Sequence, residues 1–158
     1  MKAEDFRAYA HQVVDWMADY YQQIEQYPVK SQVKPGEILE QIPKHMPESG
    51  ESMDEILKDF NEMIMPGITH WQHPNYHSYF PANTSFPSLL GEMLTAALGA
   101  QCMIWDTSPA AAELEEAMMN WLKEVMQLPA EWEGSIQSTA SDATLNAILS
   151  AREKKTDF

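Results

Sequence analysis

The stretch SIQSTASDATL, residues 135–145, combines hydroxyl side chains with small residues at the point where a strand-like segment passes into a helical pattern. The first backbone N–H groups of a helix have no partner within the helix, and the helix dipole attracts negative charge there. This turn is therefore a candidate phosphate site, to which Thr139 and Ser141 would add hydroxyl donors. The alternative is that Ser141 is an N-cap and Asp142 complements the dipole, without any ligand.

Apolar residues recur three and four positions apart in several segments outside this turn, and this spacing is typical of helices with one buried face. The predicted helices run from about Glu4 to Gln26, from the capping box at Ser52 to Pro66, from Ser85 to Gly99, from Ser108 to Pro129 and from Ser141 to about Lys154, with a short piece at Glu37–Gln41. Ser135–Gln137 is the one predicted strand. Because a sheet needs more than one strand, the chain is either all-helical or has its sheet completed by other residues.

The charge of the chain excludes some classes of partner. Ten Lys and Arg against twenty-four Asp and Glu give a formal net charge of -14, which repels nucleic acid and anionic membrane surfaces. The N-terminus lacks a secretory signal pattern, and the best apolar run, residues 93–105, is too short to cross a membrane. The single cysteine, Cys102, cannot form an internal disulfide and fits a reducing compartment. We therefore expect a soluble, cytoplasmic protein.

Residues 69–87, THWQHPNYHSYFPANTSFP, form an irregular aromatic segment, because prolines at 74, 81 and 87 prevent a continuous helix. His70, His73 and His77 suggest a metal-binding set, but the segment has no Cys or carboxylate, and packing among aromatic rings is the better interpretation. Four rings could line a pocket for a flat apolar ligand or belong equally to a core or an interface: Trp71, Tyr76, Tyr79 and Phe80.

Three stretches in order along the chain carry a resemblance to one family. They are PGITHWQHPNYHSYFP at 66–81, WDTSPAAAELEEAMMNWL at 105–122 and IQSTASDATLNAILSAR at 136–152. Together they resemble the N-terminal part of the pyridoxal-phosphate-dependent (group II) decarboxylases that act on aromatic L-amino acids. The resemblance implies a mostly α chain, in which residues 1–84 wrap onto the partner of a homodimer and residues 85–158 begin an α/β large domain of the aspartate aminotransferase type (fold type I).

The family's functional positions transfer only where this sequence matches its motifs. By resemblance, Thr139, Ala140 and Ser141 hold the phosphate of pyridoxal 5'-phosphate through hydroxyl and backbone donors. The residues that the resemblance assigns to the pocket for the amino-acid substrate are Trp71, Tyr79, Phe80, Pro81 and Met103, of which Met103 reaches into the neighbouring subunit. Four positions depart from the family pattern. Ser138 replaces a usual Gly, and Ala82 replaces a hydroxyl residue of many members. Gln101 and Met103 replace more apolar or aromatic residues of animal-type members.

The resemblance also implies that the lysine that forms the Schiff base with the cofactor lies beyond residue 158. No catalytic residue is therefore expected within these residues, and loss of the α-carboxylate as carbon dioxide needs the remainder of the same polypeptide. Two alternatives stay open from the residues: a non-catalytic helical dimerisation or interaction module, and a decarboxylase for a different amino acid. In each case the apolar helix faces predict large exposed patches on this chain alone.

Overall fold

Helices form the regular structure of this computed structural model, which describes residues 1–80 and 84–156. No strand occurs within those ranges, so the prediction of a mostly α chain is confirmed. Contacts divide the chain into two compact units, Met1–Ser85 and Phe86–Phe158. Among the helices of the described ranges, none combines the length and the apolar character that crossing a bilayer would require.

The first unit begins with α1, Ala3–Gln22, which is followed by a 3-10 turn at Ile24–Gln26. The short helix α2 occupies Glu37–Gln41, as the sequence predicts. The third helix, α3, spans Met53–Asp59 and continues through a π-helical turn, Phe60–Ile64, and a 3-10 turn, Met65–Gly67.

The start of α3 is fixed by the predicted capping box. The Ser52 hydroxyl accepts the Glu55 N–H at 3.3 Å, and the Glu55 carboxylate accepts the Ser52 N–H at 3.2 Å. These two bonds satisfy N–H groups that have no partner within the helix. Short-range sequence therefore decides where α3 begins.

The helix α1 contacts α3 and the π-helical turn that follows it through polar and aromatic pairs. The Trp16 indole N–H donates to Asn61 Oδ1 at 2.8 Å, and the Trp16 ring meets Phe60 edge-on with centroids 5.0 Å apart. The Tyr9 hydroxyl donates to Asp54 at 3.1 Å. The irregular segment after α1 is attached to the end of α3, because the Ser31 hydroxyl donates to the Pro66 carbonyl at 2.8 Å.

The second unit contains α4 at Phe86–Leu98, α5 at Pro109–Val125 and α6 at Ala140–Thr156. The helix α4 ends at Gly99, whose φ of 58° is the left-handed conformation that glycine adopts without a steric penalty. Pro109 occupies the first turn of α5, as predicted, but the preceding Ser108 makes no side-chain capping bond.

The predicted strand at Ser135–Gln137 is wrong for the described structure, in which these residues have no regular conformation. A strand needs a neighbouring strand to accept its N–H groups, and the described residues offer none. The Ile136 N–H instead donates to the Glu115 carboxylate on α5 at 2.8 Å. This bond ties the segment before α6 to α5.

The apolar stripes of α4, α5 and α6 were predicted to be buried, yet no described residue of these three helices is buried within this chain. Leu98 is 79% exposed and Trp121 63% exposed. Three helices without a further layer cannot cover these faces, which produces the exposed patches that the sequence predicts. The buried apolar side chains in the described ranges are Ile24 and Met65, both in the first unit.

Candidate functional site

The turn before α6 is held by a capping interaction centred on Thr139. The Thr139 hydroxyl accepts the Asp142 N–H at 3.1 Å and donates to the Asp142 carboxylate at 2.9 Å. Thr139 is therefore the N-cap of α6, and Ser141 lies inside the first helical turn. The interpretation of Ser141 as N-cap is wrong, because the helix begins one residue earlier, at Ala140.

The first turn of α6 presents two backbone donors to solvent. Within residues 84–156, the N–H groups of Ala140 and Ser141 make no hydrogen bond, and both residues are exposed. The helix behind them has 17 residues, so that its dipole adds positive potential at this end. This arrangement fits a phosphate group, with the Thr139 and Ser141 hydroxyls beside the two N–H groups.

Ser138 does not disturb this turn, although the related family usually has glycine there. The non-glycine residues with positive φ in the described ranges are Tyr79 and Gln127, so Ser138 has a backbone conformation that side chains adopt without strain. The turn is further fixed by the Asn146 amide, which donates to Gln137 Oε1 at 2.6 Å.

An open hollow of about 430 Å³ begins at this turn and follows one face of α6. Its lining residues are Ala140, Ser141, Thr144, Leu145 and Ile148, all from that one helix. A single helix forms one side of a ligand site, whereas binding sites for small molecules enclose most of the ligand. The second unit by itself therefore supplies one edge of a candidate site and not a closed pocket.

A second group of candidate residues lies in the first unit and forms what we call the aromatic wall, defined as Trp71, Tyr76 and Tyr79. The Trp71 ring stacks on Tyr76 with centroids 5.1 Å apart and on Tyr79 with centroids 5.7 Å apart. Tyr79 has a φ of 57°, which is uncommon for a bulky side chain. The following residue, Phe80, is fully exposed. Pro81 and Ala82 lie outside the described residues.

A cavity of about 520 Å³ adjoins the aromatic wall. Tyr76 and Tyr79 line it together with Lys30, Thr69 and His77. The cavity thus combines aromatic surface with a few polar groups, which is the usual composition of a small-molecule pocket. Burial, and secondly the neighbouring Tyr79, raise the pKa of the Tyr76 hydroxyl, so Tyr76 stays neutral at pH 7.

Two histidines of the same segment are buried in the first unit. His70 is 1% exposed and His73 is 6% exposed, whereas His77 is exposed. The His70 ring packs against Tyr27 at 4.7 Å and Tyr20 at 5.6 Å, and His73 Nδ1 accepts the Asn75 N–H at 3.0 Å. The interpretation that these rings pack and hydrogen-bond is confirmed for His70 and His73.

These histidines do not assemble a metal centre. In the ranges 1–80 and 84–156, no three His, Cys, Asp or Glu side chains are placed to hold a metal ion. Burial, and secondly the neighbouring His73, lower the pKa of His70, so its ring is neutral at pH 7. Tyr20 and Tyr27, which surround His70, were missed as parts of this cluster, since no local pattern indicates contacts 50 and 43 residues away.

The structure brings together Thr139, Ala140 and Ser141 in one turn, and Trp71 with Tyr79 in one stack. Met103 lies between α4 and α5 in the second unit and is 77% exposed. Its role stays a prediction, as do those of the other site residues.

Comparison with known proteins gives matches over almost the whole chain. A family described as "Pyridoxal-dependent decarboxylase conserved domain" matches residues 35–157. Tyrosine decarboxylase 2 of Narcissus pseudonarcissus is 44% identical over 98% of this chain and 32% of its own length. Phenylacetaldehyde synthase of Arabidopsis thaliana is 42% identical over 98% of this chain and 33% of its own length.

Among solved structures, the tryptophan decarboxylase of Catharanthus roseus in complex with L-tryptophan has a TM-score of 0.90 at 42% identity. The match covers 99% of this chain and 34% of that chain. The two units therefore have the fold of the corresponding part of that protein. The chain spans about a third of the length of the relatives that it matches.

Proposed function

Since the chain belongs to the pyridoxal-dependent decarboxylase family, we propose that it is the N-terminal part of an enzyme that removes the α-carboxylate of an aromatic L-amino acid as carbon dioxide. The substrate class is of the tyrosine, DOPA and tryptophan type. In this proposal, residues 85–158 begin the large domain that binds pyridoxal 5'-phosphate, and residues 1–84 form the helical segment that wraps onto a partner subunit.

The observation that carries this proposal is the N-terminus of α6. The N–H groups of Ala140 and Ser141, with the Thr139 and Ser141 hydroxyls, offer a phosphate group up to four donors at the positive end of the helix. Pyridoxal phosphate, when bound, supplies the electron sink for loss of the carboxylate. The task of these residues is to hold the phosphate and thereby orient the cofactor.

The Thr139 hydroxyl has to change its partner in order to donate to a phosphate. In the structure it donates to the Asp142 carboxylate, while its lone pair caps the Asp142 N–H. Rotation of the hydroxyl hydrogen is sufficient for this change, because the oxygen still accepts the N–H. Capping and phosphate binding are therefore compatible at Thr139.

The aromatic wall supports the proposed substrate class. The exposed faces of Trp71 and Tyr79 offer the flat apolar surface that an aromatic side chain can stack on. By their match to the family, we assign Phe80 and Pro81 to the substrate pocket and Met103 to the pocket of the neighbouring subunit.

The proposed enzyme is a cytoplasmic homodimer. Exposed apolar side chains on α4, α5 and α6 require a covering surface, which the remainder of the polypeptide and a partner subunit would supply in this proposal. The single Cys102, exposed and unpaired, supports a reducing compartment. Sedimentation of the full-length protein at several concentrations distinguishes a dimer from a monomer.

The test is pyridoxal phosphate binding and carbon dioxide release by the full-length polypeptide that contains these residues. We expect a visible absorption band on cofactor addition and an amine product from tyrosine, DOPA or tryptophan. Formation of an aldehyde instead of an amine would indicate an activity like that of its phenylacetaldehyde synthase relative. A protein with neither cofactor binding nor carbon dioxide release from any amino acid would refute the proposal and leave the helical interaction module.

A matched pair of variants on α6 tests the phosphate turn specifically. Ser141→Ala removes a hydroxyl beside the free N–H groups, whereas Ser150→Ala removes one nine residues further along the same helix, about 13 Å away along its axis. We expect the first variant to weaken cofactor binding about tenfold and the second to leave it unchanged. Equal effects of the two variants would contradict the assignment.

A further inference from the structure

One hydrogen bond joins α1 to the segment that carries the aromatic wall. The Tyr20 hydroxyl and His70 Nδ1 lie 2.8 Å apart, although the two residues are 50 positions apart in the sequence. His70 directly precedes Trp71, the central ring of the wall. The bond therefore connects a 20-residue helix to the segment that carries the proposed substrate surface.

The backbone of His70 is held as firmly as its ring. Its N–H donates to the Val29 carbonyl at 3.0 Å, and its own carbonyl accepts the His73 N–H at 3.0 Å. The Tyr76 N–H then donates to the His73 carbonyl at 2.9 Å. Two consecutive turns thus run from His70 to Tyr76. The position of His70 therefore determines the positions of Trp71 and Tyr76.

The surroundings of this bond make its loss costly. His70 is the one described side chain that is less than 2% exposed, and a buried polar atom that loses its partner pays a desolvation penalty. Burial lowers the pKa of His70 and raises the pKa of Tyr20, so both groups are neutral and remain hydrogen-bonded at pH 7. The rings of the wall are themselves only partly covered, since Trp71 is 45% exposed and Tyr79 is 80% exposed.

We propose that the Tyr20–His70 hydrogen bond is a positioning pair that holds the aromatic wall in place and thereby sets the affinity for an aromatic amino-acid side chain. Neither residue touches the substrate in this proposal, which rests on the proposed function for the identity of the ligand. Tyr20 acts through His70, and His70 acts through the turns that carry Trp71 and Tyr76.

The chain offers a matched pair of variants for the test. Tyr20→Phe removes the hydroxyl that bonds His70 and keeps the ring. Tyr27→Phe also removes a hydroxyl from a ring packed on His70, but this hydroxyl makes no hydrogen bond with the described residues. Any difference between the two variants therefore reports the bond and not the packing of the ring.

Hydrogen exchange of the full-length protein measures the positioning directly. The amides of His73 and Tyr76 are protected by the two turns that follow His70. We expect their exchange to be about tenfold faster in Tyr20→Phe and unchanged in Tyr27→Phe, with α6 unaffected in both. Equal exchange rates in the two variants would overturn the proposal.

Steady-state kinetics then test the connection to the substrate. We expect Tyr20→Phe to raise the KM for the aromatic amino acid about tenfold and to change kcat less than twofold, because the groups that perform the chemistry are not touched. Faster exchange with an unchanged KM would overturn the connection between the pair and the substrate pocket. If the wild-type protein releases no carbon dioxide, the proposed function fails, while the exchange rates still support or overturn the positioning role by themselves.

Discussion

Replacing Thr139 by alanine separates its role as N-cap of α6 from its proposed role as donor to the cofactor phosphate. Loss of the cap bond to the Asp142 N–H is expected to lower the free energy of unfolding by about 1 kcal/mol. Loss of the hydrogen bond to the charged phosphate is expected to weaken the free energy of cofactor binding by about 1.5 to 3 kcal/mol. The Kd for pyridoxal phosphate would then be about 10-fold to 150-fold higher.

Unfolding in the presence and absence of cofactor distinguishes the two effects. At a cofactor concentration of 100 times the wild-type Kd, binding stabilises the wild-type protein by about 2.7 kcal/mol. A variant whose Kd is about a hundredfold higher gains only about 0.4 kcal/mol under the same conditions. The cap effect appears without cofactor, and the phosphate effect appears as the missing stabilisation.

Thr139→Ser is the control, because serine keeps the hydroxyl and is at least as good an N-cap as threonine. We expect this variant to retain both the stability and the cofactor affinity of the wild-type protein. If Thr139→Ala loses about 1 kcal/mol of stability but keeps its Kd within twofold, Thr139 is a cap alone. That result would refute the assignment of its hydroxyl to the phosphate site.

Three further predictions follow from the first unit. Ser52→Ala should lower the free energy of unfolding by about 1 kcal/mol in urea, whereas Ser108→Ala, whose side chain makes no capping bond, should change it by less than about 0.5 kcal/mol; equal losses would contradict the capping box. Since burial lowers the pKa of His70 below its ordinary 6.5, the unfolded chain binds a proton at a higher pH than the folded chain does. The stability contributed by neutral His70 is therefore complete above pH 6.5 and falls as the pH drops through the folded pKa. His70→Gln should reduce this acid sensitivity in unfolding experiments between pH 7.5 and 5. An unaltered pH dependence would contradict the assignment of the acid sensitivity to His70. Trp71→Leu should raise the KM for an aromatic amino acid about tenfold, and Trp132→Leu, a comparably exposed control, should not.

The boundaries of the helices were largely predictable because short-range chemistry decides them. The capping box at Ser52, Pro109 in the first turn of α5 and Gly99 after α4 each act within four residues. The start of α6 was harder to predict, since Ser138, Thr139 and Ser141 all carry hydroxyls that can cap a helix. Thr139 is the one whose oxygen meets the third N–H of the helix, which the composition of the turn does not reveal.

The family could also be predicted from the sequence, because three motifs in order identify it without coordinates. The family match to residues 35–157 confirms this prediction. The individual roles of Trp71, Tyr79, Phe80, Pro81, Met103, Thr139, Ala140 and Ser141 stay predictions that the variants above test. Sequence alone fixed neither which of these side chains contact one another nor how exposed they are.

Only the tertiary structure decided the burial and the long-range contacts. Periodicity predicted apolar stripes on α4 to α6, but burial needs a covering surface, and the described chain leaves these helices exposed. The Tyr20–His70 bond spans 50 residues, and no local pattern encodes it. Ser135–Gln137 has strand-like residues but no strand to pair with, so its Ile136 N–H bonds Glu115 instead. Local signals determine where helices begin and end, whereas contacts between distant residues exist only once the chain has folded.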